Sequence, residues 1–367
     1  MTIKEVAKLA GVSSAAVSRY LNGGPLSQKK KEQIAKAIEE TGYRPNLMAK
    51  TMRTGKVRQI GIIVPRIFSE SVNQVMDGLA EEFLEKDYLT LLGYSDKRKD
   101  RELQYLEMMQ SNRVAGIVLM GTTLSEIKRM SLENCTVPLV VTGQKYSGLH
   151  CVYHDDRGGV WELTQRMIAK GRSRIAYIGV REDDLAAGLA RREGFLEALE
   201  SAGLPVNNVP RRTADFDAQS GFLCMQELLE ECPDLDGVIC ATDIIAHGAI
   251  SALKRAGRRI PEDVSIAGVG DNWADLISSP TLTTVHLHHR RCGMLAARML
   301  LNLIGEDDDG ENQEGSKLSE LNSIELNSID PNSVDPNHSD PGFSGQDAPN
   351  DHRHIQLGYQ IIERESL

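Results

Sequence analysis

The sequence predicts an α/β chain: a three-helix helix-turn-helix head with a hinge helix, then two lobes built on doubly wound parallel sheets. Three observations carry this expectation. Near the start, apolar residues recur at helical spacing on either side of Gly11. From Gln59 onward short β-branched runs alternate with amphipathic stretches, roughly every twenty-five residues, and the alternation restarts near Gly158. Charge divides the chain too: residues 1–58 hold 12 Lys+Arg against 4 Asp+Glu, a local +8 in a chain whose total is −10. A basic module on an acidic protein is what binding to a phosphate backbone requires.

In the head, Ile3, Val6, Ala7 and Ala10 share one face of a first helix that Thr2 can cap. Gly11 allows a tight turn, and Ser13 can cap a second helix. That helix turns Ala16, Val17 and Tyr20 or Leu21 inward and leaves Ser14, Ala15, Ser18, Arg19 and Asn22 outward. Two short helices joined this way match the motif whose second helix enters the DNA major groove. A third helix starts after Ser27, closes the core with Ile34, Ala35 and Ile38, and stops at Gly42. Pro45 opens a short hinge helix over Asn46–Arg53 that Gly55 ends; alone it is too short to be stable.

The body begins with Ile60-Gly61-Ile62-Ile63-Val64, a run suited to a strand buried on both faces. Helices and strands then alternate to Thr142, and a second series runs from Gly158 to Val269. The expected organisation is a head at 1–44 and a hinge and linker at 45–58. A first lobe takes 59–157 plus 286–305, and a second lobe 158–285 plus 354–367. Residues 306–351 contain 13 Asp+Glu and 1 Lys, so that stretch alone carries −12. Such a tract buries too little apolar area to offset its chain entropy, so 306–353 is expected to be a disordered acidic insert. At 367 residues the chain exceeds one ordinary core.

The segments Thr2-Ile3-Lys4-Glu5-Val6-Ala7-Lys8-Leu9-Ala10-Gly11-Val12-Ser13, Val17-Ser18-Arg19 and Gly42-Tyr43-Arg44-Pro45-Asn46 resemble the head and hinge of the lactose-repressor (LacI-type) family of bacterial regulators. Ala241-Thr242-Asp243 and Pro261-Glu262-Asp263-Val264-Ser265 extend the likeness through the body, whose lobes then take the periplasmic-binding-protein form. The resemblance implies an operator-binding homodimer. Ser14, Ala15 and Ala16 would open the recognition helix, with Ser18, Arg19 and Asn22 adding contacts. Thr2, Ser13 and Ser27 join them as candidate DNA-contacting residues. Asn46, Ala49 and Met52 would enter the minor groove, Met52 replacing the usual Leu wedge.

Ligands of such sheets lie beyond the C-terminal ends of parallel strands. That rule selects Pro65–Ser71, Arg181–Arg192, Thr242-Asp243 and Gly270–Asp275. The candidate effector residues are Arg66, Ser69, Glu70, Ser71, Arg191, Thr242, Asp243, Asp271 and Trp273. Carboxylates and hydroxyls suit sugar hydroxyls, and an indole suits a sugar ring. By the resemblance Arg191 reaches the effector, and Arg66, in Val64-Pro65-Arg66-Ile67-Phe68, looks like the phosphate-holding arginine of trehalose repressors. The family's usual effector acid falls on Gly270, with Asp271 one residue late. An arginine gained and an acid lost fit an anionic effector, trehalose 6-phosphate first.

Other classes fit less well. A secreted sugar-binding protein would begin with an apolar signal segment where this chain has a capped polar helix; a cytoplasmic location is therefore expected. A nucleotide-dependent enzyme would need a Gly-x-Gly-x-x-Gly turn, which neither Val269-Gly270-Asp271 nor Ile178-Gly179-Val180 completes. No nucleophile–base set and no cofactor motif stands out. Cys135, Cys151, Cys224, Cys232, Cys240 and Cys292 are scattered and read as reduced thiols. His286, His288 and His289 cluster without the spacing of a metal ligand set, so no metal is expected.

Overall fold

The computed structural model describes residues 2–21, 24–43, 58–121, 123, 126–305 and 353–367, with the side chains of 126–128 excepted. Asn22, Asn46, Ala49, Met52, the expected hinge helix and residues 306–352 of the expected insert lie outside the described residues. The chain divides into two compact units, 1–58 and 59–367.

The first unit contains α1 (Ile3–Leu9), α2 (Ser14–Leu21) and α3 (Gln28–Thr41). A capping box starts α1: Glu5 N donates to Thr2 Oγ1 at 3.4 Å, and Thr2 N donates to Glu5 Oε2 at 2.6 Å. Gly11 and Gly42 take left-handed φ of 63° and 60°, as the turn and the helix stop demand. Val6, Ala7, Ala10, Ala16, Val17, Ile34 and Ala37 form the core. The third helix therefore packs through Ala37, and Ala35 is exposed. Ile34 and Ala37 lie three residues apart, and Ala35 falls on the far side of the helix.

The second unit holds two six-stranded sheets. The first has spatial order β11-β5-β4-β3-β1-β2, from β1 (Gln59–Val64), β2 (Leu89–Tyr94), β3 (Gly116–Met120), β4 (Leu139–Thr142), β5 (His150–His154) and β11 (His354–Leu357). The second has order β12-β10-β9-β8-β6-β7, from β6 (Ile175–Gly179), β7 (Arg211–Thr213), β8 (Gly237–Cys240), β9 (Ser265–Val269), β10 (Thr283–His286) and β12 (Gln360–Ile362). Every pairing is parallel except β10 with β12. Helices α4 (Glu70–Glu85), α5 (Lys99–Ser111), α6 (Glu126–Glu133) and α12 (His289–Ile304) accompany the first sheet; α7 (Asp156–Ala169), α8 (Arg191–Ser201), α9 (Ala218–Glu231), α10 (Asp243–Arg255) and α11 (Trp273–Ile277) the second.

One boundary needs correcting. Residues 354–367 do not all belong to the second lobe, because His354–Leu357 pairs with β5 from His354↔Cys151 to Leu357↔His154. β5 would otherwise present an unpaired edge, and Leu357 closes the apolar cluster that includes Val152. The chain thus crosses between lobes three times: after β5, after β10 and between β11 and β12.

Helices α4 and α12 pack very closely. A Cβ on Gly78 would overlap the carbonyl oxygen of Arg290, and one on Gly293 the carbonyl oxygen of Val75. Arg290 Nε donates to Asp77 Oδ2 at 2.7 Å across the same seam. We expect Gly293→Ala to lower the stability of this unit by about 1–3 kcal/mol through overpacking. An unshifted denaturation midpoint would contradict that account.

Candidate DNA-binding and effector sites

Three short side chains and one long one remain at the surface of α2. Ala15 and Arg19 are exposed, and Ser14 and Ser18 are half-buried. Ser13 Oγ accepts from Ala16 N at 3.2 Å, so this hydroxyl caps the helix. The Thr2 hydroxyl is committed to its own cap. Ser27 is exposed ahead of α3 and makes no side-chain cap bond. Ala16 is the exception to the expected surface: it is 5% exposed, within the head core. Its methyl belongs to the core cluster with Val6, Ala7 and Ile34.

In the second unit the loops after β1, β2, β4, β6 and β7 bring charged groups of both lobes together. Arg66 follows β1, and its guanidinium carbon lies 3.7 Å from the centroid of the Phe216 ring, which follows β7. Lys97, beyond β2, places Nζ 5.3 Å from the same centroid. Arg66 Nε is buried with no hydrogen-bond partner. Burial pulls the Arg66 pKa down, the charge of Asp184 opposes this, and the charge of Arg191 adds to it.

Asp184 caps a single π-helical turn, Leu185–Ala190, accepting from Ala186 N at 3.2 Å and Ala187 N at 3.0 Å. Such turns often mark functional positions. Gln144, just past β4, donates from Nε2 to Asp184 Oδ1 at 3.0 Å across the lobes, and Tyr146 donates its hydroxyl to Gln144 Oε1 at 3.2 Å. Burial raises the Asp184 carboxyl above the usual range.

Arg191 is buried. Its Nε donates to Asp156 Oδ1 at 2.7 Å, and a terminal nitrogen donates to the Ala241 carbonyl at the end of β8. Around this pair stand two more unpartnered buried atoms, the Tyr177 hydroxyl and His154 Nε2. Burial, above all, brings His154 down to about 4, and its ring meets His289 edge-on at 4.9 Å. His154 is therefore neutral at physiological pH.

The remaining sequence-predicted residues separate into scaffold and surface. Asp243 is 1% exposed and accepts from Thr284 Oγ1 at 2.6 Å and Asp271 N at 2.6 Å. Both of its carboxyl oxygens are thus engaged within the protein. Asp271, at φ 52°, is held by His286 Nδ1 at 2.9 Å and by Arg364 at 2.6 Å. Gly270 sits against Asp243, where a Cβ would crowd the carboxylate. That contact is a physical reason for glycine where the family places an acid.

Thr242 caps α10 by accepting from Ile245 N at 3.4 Å. Ser69 and Ser71 lie hydroxyl to hydroxyl at 3.0 Å, and Glu70 is exposed at the start of α4. Trp273 is 64% exposed on α11 beside exposed Leu276 and Ile277. Among the described residues no three or more His, Cys, Asp or Glu are grouped to hold a metal ion.

Gln144, Asp156, Lys97 and Phe216 were not among the expected site residues. The strand-end rule would have found three of them had it been extended to the loops after β2, β4 and β7.

A helix-turn-helix head joined to a two-lobed core with polar groups between the lobes defines a DNA-binding transcription regulator built in one chain. Residues 2–46 match the model described as bacterial regulatory proteins, lacI family, and residues 164–322 match that of a periplasmic binding protein-like domain. The chain belongs to the lacI family of bacterial regulatory proteins.

The chain is 34% identical over 310 residues to the HTH-type transcriptional regulator RegA of Clostridium saccharobutylicum, covering 84% of this chain and 93% of that protein. Its identity to the sucrose operon repressor of Staphylococcus xylosus is 30%, over 82% of this chain and 93% of the relative. Among solved structures, a complex of the transcriptional regulator CelR with cellobiose superposes with TM-score 0.68 at 25% identity, covering 100% and 99% of the two chains. A lac repressor dimer bound to operator and an anti-inducer gives TM-score 0.79 at 19% identity, covering 100% and 98%, a likeness of fold. These relatives are regulators rather than enzymes. Among the described residues no helix is long and apolar enough to cross a membrane.

Proposed function

We propose that this protein is a cytoplasmic, homodimeric repressor of a carbohydrate-utilisation operon, released from double-stranded operator DNA by a sugar phosphate, trehalose 6-phosphate first. The observation that carries this reading is Arg66: a half-buried side chain whose Nε is buried without a hydrogen-bond partner, stacked on Phe216 and close enough to feel Arg191. Its one opposing neighbour in that balance, Asp184, is already engaged by Gln144 and two backbone amides. A site with spare cationic donors and a stacking ring suits an anionic sugar. The sucrose repressor and the cellobiose-bound CelR support a carbohydrate operon by kinship.

Two basic heads, each carrying Arg19 and the short face of α2, read the half-sites of a pseudo-palindrome. Effector binding shifts the two lobes, and with them the heads, by no more than its differential affinity for the two arrangements.

Isothermal calorimetry on the full chain tests the effector. Arg66→Ala is expected to weaken trehalose 6-phosphate about 100-fold, the worth of roughly two charge-assisted hydrogen bonds, and to leave trehalose nearly unaffected. Unchanged affinity for the phosphorylated sugar would remove the reading, as would operator binding in a gel shift that no sugar phosphate alters.

A further inference from the structure

We infer that Lys97 is a second cation of the effector site, working with Arg66 as a pincer that selects a phosphoryl-bearing ligand over its neutral parent. The inference rests on the sugar-phosphate reading above and adds to it a residue from a different loop.

The backbone explains how two cations come to share one ring. Asp96 and Lys97 are consecutive non-glycine residues at φ 54° and 58°, a conformation that side-chain-bearing residues adopt only where their surroundings hold them. Here they are held three ways. Ser95 N donates to the Val64 carbonyl at 3.0 Å, Lys97 N donates to the Pro65 carbonyl at 3.1 Å, and the Tyr94 hydroxyl donates to Asp96 Oδ1 at 2.7 Å. Pro65 is the residue before Arg66, so the bond from Lys97 N fixes the two basic loops to each other. Tyr94 occupies Asp96, the acid next to Lys97 in the chain.

Both side chains then reach Phe216 of the opposite lobe, Arg66 at 3.7 Å and Lys97 at 5.3 Å from the centroid. Lys97 is exposed and Arg66 half-buried, so one cation faces incoming solute and the other backs it. A dianionic phosphoryl group reached by both cations gains from each of them. A neutral sugar does not, which makes Lys97 a determinant of discrimination rather than of general affinity. Arg66 presents a planar fork for two oxygens, and Lys97 a mobile point charge for the third.

The test is calorimetry of the full chain with trehalose 6-phosphate, trehalose and inorganic phosphate, for wild type, Lys97→Met and Lys97→Arg. Lys97→Met is expected to lose about tenfold for trehalose 6-phosphate, one charge-assisted hydrogen bond, with trehalose unchanged. Lys97→Arg should restore most of that loss, which a packing role for the methylene stem would not predict. Equal weakening for both sugars, or none for the phosphorylated one, overturns the assignment. A wild type that holds inorganic phosphate in a Lys97-dependent way but ignores trehalose 6-phosphate upholds the pincer and discards the sugar.

Discussion

Arg191→Met is expected to lower the stability of the effector core by about 3–5 kcal/mol, because it leaves the Asp156 carboxylate buried without its partner. Both members are almost fully enclosed, with side chains 9% and 5% exposed, and their contact is 2.7 Å. The pair joins the first turns of α7 and α8, and the bond to Ala241 ties both to the end of β8. Methionine fills much of the arginine's volume, so the loss reports charge and hydrogen bonding more than a cavity. Adding Asp156→Asn to Arg191→Met should recover part of the loss, since no naked charge remains. Urea denaturation followed by circular dichroism measures both. A single variant within about 1 kcal/mol of wild type would show that water reaches Asp156 and that the pair is not a keystone.

Asp243 gives the second large effect, and it carries a pH signature. Burial is the first cause of its raised pKa; the charge of Asp275 and a hydrogen bond with it come next, and Thr284 and the Asp271 amide oppose them. Asp243→Ala removes the acceptor of the Thr284 hydroxyl and the Asp271 amide, each worth about 1–3 kcal/mol when left unsatisfied. A loss of about 3 kcal/mol or more is expected, with the loop between β9 and α11 loosening first.

The sign of the pH effect follows from linkage. The folded protein holds a proton on this carboxyl at pH values where the unfolded chain, with its carboxyl near 3.8, has released it. The contribution is therefore complete below the unfolded value and fades as pH rises toward the raised folded one. Asp243→Asn keeps the shape and cannot ionise. Its stability curve should fall less steeply than that of wild type as pH rises above the unfolded carboxyl value of 3.8. Parallel curves would sink this account of the buried pair.

The strands that sequence revealed are those hidden on both faces. Ile60–Val64, Gly116–Met120 and Ile175–Gly179 are buried almost throughout, and their β-branched runs advertise it. Arg211–Thr213 gave no such signal: it is a three-residue edge strand, largely exposed, and two of its residues are arginines. His354–Leu357 is polar enough to pass for loop, and its pairing with His150–His154 makes it a strand.

The same contrast holds at the site. Arg66 and Arg191 could be picked out by chemistry and strand-end position. Gln144 meets Asp184 across 40 residues of chain, a pairing that no local pattern encodes. For Asp243 the sequence leaves two uses open, because a carboxylate after a strand suits a ligand and an internal scaffold equally well. What decides between them is the approach of Gly268 and Gly270 onto it from β9 and the turn beyond. Ala16 is a similar case, since a methyl near the start of a helix serves either face.

The late arrival of β11 and β12 affects how this protein is made. Neither sheet has its full complement of strands until residues 354–362 are in place, and Ser366 then locks the second sheet by donating to the Ile266 carbonyl at 2.7 Å. On the ribosome both lobes must wait, edge strands unpaired, while the acidic stretch after Gly305 is synthesised. Repeated negative charge emerging at that moment discourages two nascent chains from joining edge to edge. A product terminated anywhere in that stretch would lack a strand from each lobe at once, so early stops should yield material fit for proteolysis rather than a half-working repressor.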